Sequence, residues 1–191
     1  MKYEFTNEVM QYNGHELKRI RRISDSLLGG YIESENNLLH KGDCFIYNEA
    51  IVYDNARISG NAKVYDNAII CDNAIIYGNA IISDDVMIGG NAMVDGNARI
   101  SGNAKVYEDA TISDEAIISD NAKVSGNAII YGNAKVDGNA KVYDEAMISD
   151  NAKVSGNTTI YGNAIIYDEA MIGGSATISG NAKVDGNATI L

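Results

Sequence analysis

From Ile46 to Ile190 an aliphatic residue returns at every sixth position, beginning Ile46, Val52, Ile58, Val64 and Ile70, and all 25 of these positions hold Ile or Val. A second apolar column runs four residues behind the first, from Ala50 to Ala188, and is Ala except at Val86 and Thr158. Between the columns lie polar pairs such as Gly60-Asn61, Asp66-Asn67 and Gly78-Asn79. A period of six excludes an α-helix, whose apolar face returns at three and four residues. It suits one short strand followed by one corner. In Lys63-Val64-Tyr65 the two-residue alternation of strands sends the valine inward and its neighbours outward. Asp66-Asn67 then turns the chain, because Gly, Asn and Asp tolerate positive φ, and Ala68 is small enough to sit inside the bend. Three hexapeptides close a triangle, and successive coils stack at about 4.8 Å. The expected fold is an all-β parallel β-helix, a triangular prism of about eight coils and roughly 38 Å in length. Asn residues at one corner of successive coils are placed to form amide ladders.

The aliphatic-x-x-x-small-x pattern over Ile46–Leu191 resembles the hexapeptide repeat of left-handed parallel β-helices. The resemblance implies a single-stranded left-handed coil, a hand that strand crossovers do not otherwise favour. The leader is similar to that of a narrower group. Its motifs are Asn13-Gly14-His15-Glu16-Leu17-Lys18-Arg19-Ile20, then Gly29-Gly30-Tyr31-Ile32-Glu33-Ser34-Glu35-Asn36-Asn37-Leu38, then His40 and Cys44. Bacterial and prophage proteins of that group carry Gly-Asn-Ala hexapeptides behind such a leader and are often labelled acetyltransferase-like. The chain therefore divides into an N-terminal hairpin cap, residues 1–40, and a β-helix, residues 41–191. Asn13-Gly14 predicts a tight turn between Tyr3–Tyr12 and His15–Ile23. Solenoids need their ends closed, and this hairpin is expected to close the first coil.

Charge narrows the partners. The formal net charge is −11, and the excess acid lies almost wholly in residues 41–191, which hold ten Lys/Arg against twenty Asp/Glu. An acidic rod repels phosphate backbones, which argues against direct nucleic-acid binding and leaves imitation of nucleic acid open. No segment has the length or apolarity of a membrane span, and Met1–Tyr12 shows no secretory pattern. Cys44 and Cys71 lack metal-ligand spacing, so a cytoplasmic protein with free thiols is expected. The run Lys18-Arg19-Arg21-Arg22 reads either as an anion site or as a solvated strand edge.

Candidate chemistry is sparse. The acyltransferases that share the hexapeptide pattern use a histidine base and a loop that encloses the acyl carrier, and such chemistry needs a pocket that excludes water. This chain has two histidines, His15 in the hairpin and His40 before the first coil, and no hexapeptide from Ile46 to Ile190 carries an insertion. Counting six back from Ile46 places His40 on the inward register. The expectation is no catalytic residue, no cofactor and no metal, with His40 acting on acetyl-CoA as the alternative. Paired acids such as Asp84-Asp85, Glu108-Asp109 and Asp144-Glu145 stand at corners, where they are either solvated turns or oxygen ligands for calcium.

The outward residues sort into three faces at a spacing of eighteen. One runs from apolar Ile51/Tyr53 and Ile69/Cys71 to basic Lys105, Lys123 and Lys141, and a second is mixed. The third, with Ile75, Tyr77, Met93, Ile129, Tyr131, Met147, Ile165 and Tyr167, is apolar along most of its length. It reads as an interface, with the β-propensity of Ile and Tyr as the simpler explanation. Ile190-Leu191 ends the repeat in register and offers a second, axial contact. These features lead us to expect a homo-oligomer, trimer or dimer, that also binds a protein partner. The prophage resemblance makes that partner a host or defence protein to be inhibited.

Overall fold

Each hexapeptide contributes one two-residue strand. In a computed structural model describing residues 1–191, twenty-five such strands run from β4 (Phe45–Ile46) to β28 (Thr189–Ile190), after the longer β1 (Tyr3–Tyr12), β2 (His15–Arg22) and β3 (Leu28–Ile32). They stack into three sheets of eleven, nine and eight strands, parallel throughout the repeat. Every third strand is a hydrogen-bonded neighbour, so Lys63–Val64 lies between Phe45–Ile46 and Ile81–Ile82 in strict register. The bonds between coils include Lys63 N to Ala80 O at 2.9 Å and Tyr65 N to Ile82 O at 2.8 Å.

The corners work as the residue types require. The first corner residue is left-handed whether it is Asp66 (φ 60°) or Gly60 (φ 64°), and the Ala62 amide closes the bend on the Ser59 carbonyl at 3.3 Å. The Ile/Val and Ala columns fill the interior and are fully buried through most of the prism. In each layer a branched aliphatic side chain fills a strand side and a small residue, alanine except at Val86 and Thr158, fits beneath a corner, so the coils bury nearly the same set.

The stack holds about nine turns, because the leader supplies one that the hexapeptide count misses. Tyr31 and Ile32 pair in parallel with Ile51 and Val52, Leu38 bridges Ile58, and Phe45–Ile46 pairs with Lys63–Val64. Residues 28–46 thus form a first coil of non-repeat sequence. The step from Leu38 to Ile46 is eight residues instead of six, and Leu38 fills the inward slot. His40 is consequently exposed, contrary to the inward position expected from counting six back.

β1 and β2 form an antiparallel hairpin whose turn residues, Asn13 (φ 49°) and Gly14 (φ 87°), are both left-handed as a tight two-residue loop demands. β2 pairs antiparallel with β3 and so extends the eleven-stranded sheet. At its base Tyr3 and Ile20 are buried against the core, and the Tyr3 hydroxyl donates to the Leu38 carbonyl at 3.0 Å. The Lys2 ammonium donates to the Leu39 carbonyl at 2.7 Å. Gly29 and Gly30 allow this junction to close: a Cβ on Gly29 would lie 2.6 Å from the Ile46 carbonyl oxygen, and one on Gly30 would overlap that of Ala50. No helix is long and apolar enough to cross a membrane.

Candidate interaction faces and the cap cluster

The apolar face assigned from the sequence lies on the eight-stranded sheet. Ile75, Met93, Thr111, Ile129, Met147 and Ile165 follow one another in register along its outer surface. Ile75 and Ile129 are each 38 % exposed and Met93 is 36 % exposed, whereas Met147 and Ile165 are half-buried. The neighbouring column carries the tyrosines. Tyr77 reaches the sulfur of Met93 at 3.7 Å, Tyr131 that of Met147 at 3.8 Å, and Tyr167 donates to Asp185 at 2.7 Å. Each ring leans along the prism axis onto the next coil and leaves a shallow groove of about 270 Å³ bounded by Tyr131, Met147, Ile165 and Tyr167. At the last coil Ile190 is partly buried and Leu191 exposed.

The eleven-stranded sheet shows something that outward columns alone could not reveal. Its apolar start is covered. Leu17, Met10 and Tyr12 of the hairpin pack over Tyr31, Ile51, Tyr53, Ile69 and Cys71, leaving Ile51 and Tyr53 buried. Farther along, Lys105, Lys123 and Lys141 stack in register, beside a stacked Tyr143–Tyr161 pair at 5.2 Å. The basic run of the leader is occupied by carboxylates. Arg19 pairs with Glu8 and Glu49, Arg21 with Glu4, and Arg22 with Asp25. That hydrogen bond holds the Asp25 carboxyl down at about 2.

The two histidines fare differently. His40 stacks on Tyr3 at 4.5 Å, and its Nδ1 accepts the Lys2 amide at 3.2 Å, at the outer end of the cap. It lies on the two-residue bulge of the first coil and is exposed, and the repeat beyond Ile46 runs without an insertion. His15 sits between two carboxylates: Nδ1 is 3.1 Å from Glu33 Oε1 and Nε2 is 3.6 Å from Asp54 Oδ1. Its ring packs against Tyr53 at 4.8 Å. The hydrogen bond to Glu33 pushes the His15 pKa up and the Glu33 pKa down. Sequence reading missed this cluster. Its members are far apart in the chain, and each has an ordinary local role in a hairpin, a strand end and a corner.

A family model described as YdcK Beta solenoid repeat matches residues 56–72, which are three strands, one from each sheet, and the corners between them. No curated protein matches the chain. The matched segment repeats, strand for strand, along three parallel sheets. The chain is a hexapeptide-repeat β-helix.

A hexapeptide-repeat β-helix must satisfy its corner polar groups coil after coil, and this one uses both backbone and side chains: the Asn61 backbone amide, for example, donates to the Gly78 carbonyl at 2.7 Å. Asn55 donates to Asn73, Asn73 to Asn91 and Asn91 to Asp109, while a second ladder runs Asn103, Asn121, Asn139, Asn157. The acids at the preceding corner position accept the backbone N–H of the next coil. Asp72 takes Gly90 at 2.8 Å, Asp84 takes Gly102 at 2.9 Å and Asp144 takes Gly162 at 3.1 Å. The acid excess of the β-helix thus has a local cause. Carboxylates favour the left-handed corner and supply an acceptor there.

Proposed function

We propose that this β-helix is a non-catalytic scaffold that self-associates through the outer face of its eight-stranded sheet and presents its remaining faces to a protein partner. The supporting observation is the in-register row of Ile75, Met93, Ile129, Met147 and Ile165, interrupted only by Thr111. A solvent-facing strand needs no such run, and contiguous apolar patches of this kind mark interfaces. The partly exposed Ile75, Met93 and Ile129 each leave roughly 60–70 Å² open, worth about 1.5 kcal/mol apiece if covered. A second copy is the natural occupant. The face is straight and repeats every coil, so an identical face matches it strand for strand about a symmetry axis. The acids at the first corner position, such as Asp72, Asp84 and Asp144, need no basic partner to explain them, since they accept amides of the next coil.

Light scattering coupled to size exclusion tests this reading. The wild-type chain is expected to run as a discrete dimer or trimer, and Ile129→Lys with Met147→Lys as a folded monomer. A wild-type monomer at all accessible concentrations removes the self-association. Acetyl transfer from acetyl-CoA to an amine or hydroxyl acceptor, abolished by His40→Ala in a folded protein, removes the non-catalytic reading.

A further inference from the structure

We propose that His15, Glu33 and Asp54 form a binding site for a divalent transition-metal ion, with Zn²⁺ as the representative, which clasps the hairpin onto the first coils. The inference goes beyond the scaffold reading and does not depend on it. Three separate segments deliver the donors: the first residue of β2, the residue after β3, and the corner after Ile51–Val52. One donor atom from each lies within 4.8 Å of the others. Ligands held at about 2.0–2.1 Å from a tetrahedral ion stand roughly 3.3–3.4 Å apart. The 3.1 Å from Nδ1 to Glu33 and the 3.6 Å from Nε2 to Asp54 are close to that edge, so a small turn of the ring brings one nitrogen within reach of both carboxylates. At present the two contacts use different ring nitrogens. On binding, the ring turns one nitrogen to the ion between the two carboxylates and leaves the other to solvent.

The surroundings are already ordered for this. Glu33 is held by its second oxygen, Oε2, which accepts the Asp54 amide at 2.7 Å. The imidazole is backed by Tyr53, whose hydroxyl accepts from Asn13 at 3.5 Å. The three side chains are about one third exposed, at 30, 34 and 31 %, which leaves the fourth position to water. A polar cleft of about 410 Å³ that includes Glu33, Asp54 and Arg57 in its walls gives a route in. The donor set of one imidazole and two carboxylates selects a transition ion over Mg²⁺ or Ca²⁺, which take oxygen ligands throughout. Two carboxylates also balance the charge of a divalent ion.

The experiment is calorimetric titration of the EDTA-treated, dialysed full chain with ZnCl₂, alongside MgCl₂, and a melting curve with each. The expected result is one equivalent of Zn²⁺ bound, a higher melting temperature, and no response to Mg²⁺. His15→Ala and, separately, Glu33→Gln should each weaken Zn²⁺ binding by at least about tenfold, the minimum effect of disturbing even an outer partner. Far-UV circular dichroism checks that each variant is folded, and Asp54→Asn replaces either one that is not. No Zn²⁺ binding up to about 100 μM overturns the proposal, since the implied affinity is then too weak for three converging ligands. Equal uptake by the wild type and the folded variants overturns it as well, because the ion then lies elsewhere.

Discussion

Thr158 is the one hydroxyl in a column otherwise made of alanine and Val86, and it is a flaw in the core that can be measured. Its side chain is fully buried and its Oγ1 has no hydrogen-bond partner. A buried hydroxyl without a partner costs about 1–3 kcal/mol relative to a paired or solvated one. Replacing it with valine removes that cost and adds a buried methyl worth roughly 0.8 kcal/mol. Part of the gain is lost to the tighter fit, although Val86 shows that the column accepts a branched aliphatic side chain at a corner. The net expectation for Thr158→Val is a stabilisation of about 1–2 kcal/mol. For a chain of this length that is a rise in melting temperature of roughly 2–8 °C, followed by circular dichroism near 218 nm. Thr158→Ser keeps the hydroxyl and deletes the methyl, so it should melt below the wild type. A Thr158→Val protein that melts at or below the wild-type temperature refutes the reasoning, because the hydroxyl must then have a partner.

Two further predictions follow from the same columns and faces. Ile118→Ala should cost about 2–5 kcal/mol by emptying a fully buried slot, whereas Ile117→Ala, one residue away on the outer surface, should cost under about 1 kcal/mol. Equal losses in denaturant melts would show the inward register to be wrong. Cys71 is half-buried beneath the hairpin, and burial, with Asp72 adding to it, pushes its thiol up to about 11. At pH 8 its iodoacetamide labelling, read by mass spectrometry, should therefore be about a hundredfold slower than that of an unperturbed thiol, because only the thiolate reacts. Labelling at the rate of a free thiol would mean that the hairpin does not cover it.

Most of the prism was legible in the sequence because its constraint is local. A strand of two or three residues and a corner of two each announce themselves within six positions, and the Ile/Val and Ala columns repeat that announcement without a break. The three outward faces followed from a spacing of eighteen, and the in-register stacking of Lys105, Lys123 and Lys141 is what that spacing requires. Legibility ended where the spacing changed. The eight-residue step from Leu38 to Ile46 hid the first coil and sent His40 to the surface, because two extra residues loop out where the pattern counts only one hexapeptide. The hairpin's cover over Ile51 and Tyr53 was invisible for another reason. It is a tertiary contact between Leu17, Met10 and the sheet, and nothing in either segment's periodicity refers to the other. The His15–Glu33–Asp54 cluster is of the same kind, assembled only when the hairpin folds back.

The uniformity of the interior has a consequence for how such a chain can change its surface. Apart from Val86 and Thr158, every hexapeptide places the same Ile/Val and Ala pair inside, so the interior does not register which of the three sheets a given hexapeptide occupies. Inserting or deleting six residues mid-rod therefore leaves the packing intact and turns everything downstream by a third of a revolution. Ile129 and Met147 would leave their sheet for a neighbouring one, and the apolar row would break at the point of insertion. A change of eighteen residues does the opposite: it lengthens or shortens the rod by about 4.8 Å and keeps every face aligned. Duplication in units of one acts as a rotation and duplication in units of three as an extension, so a new surface can arise without a single substitution in the core.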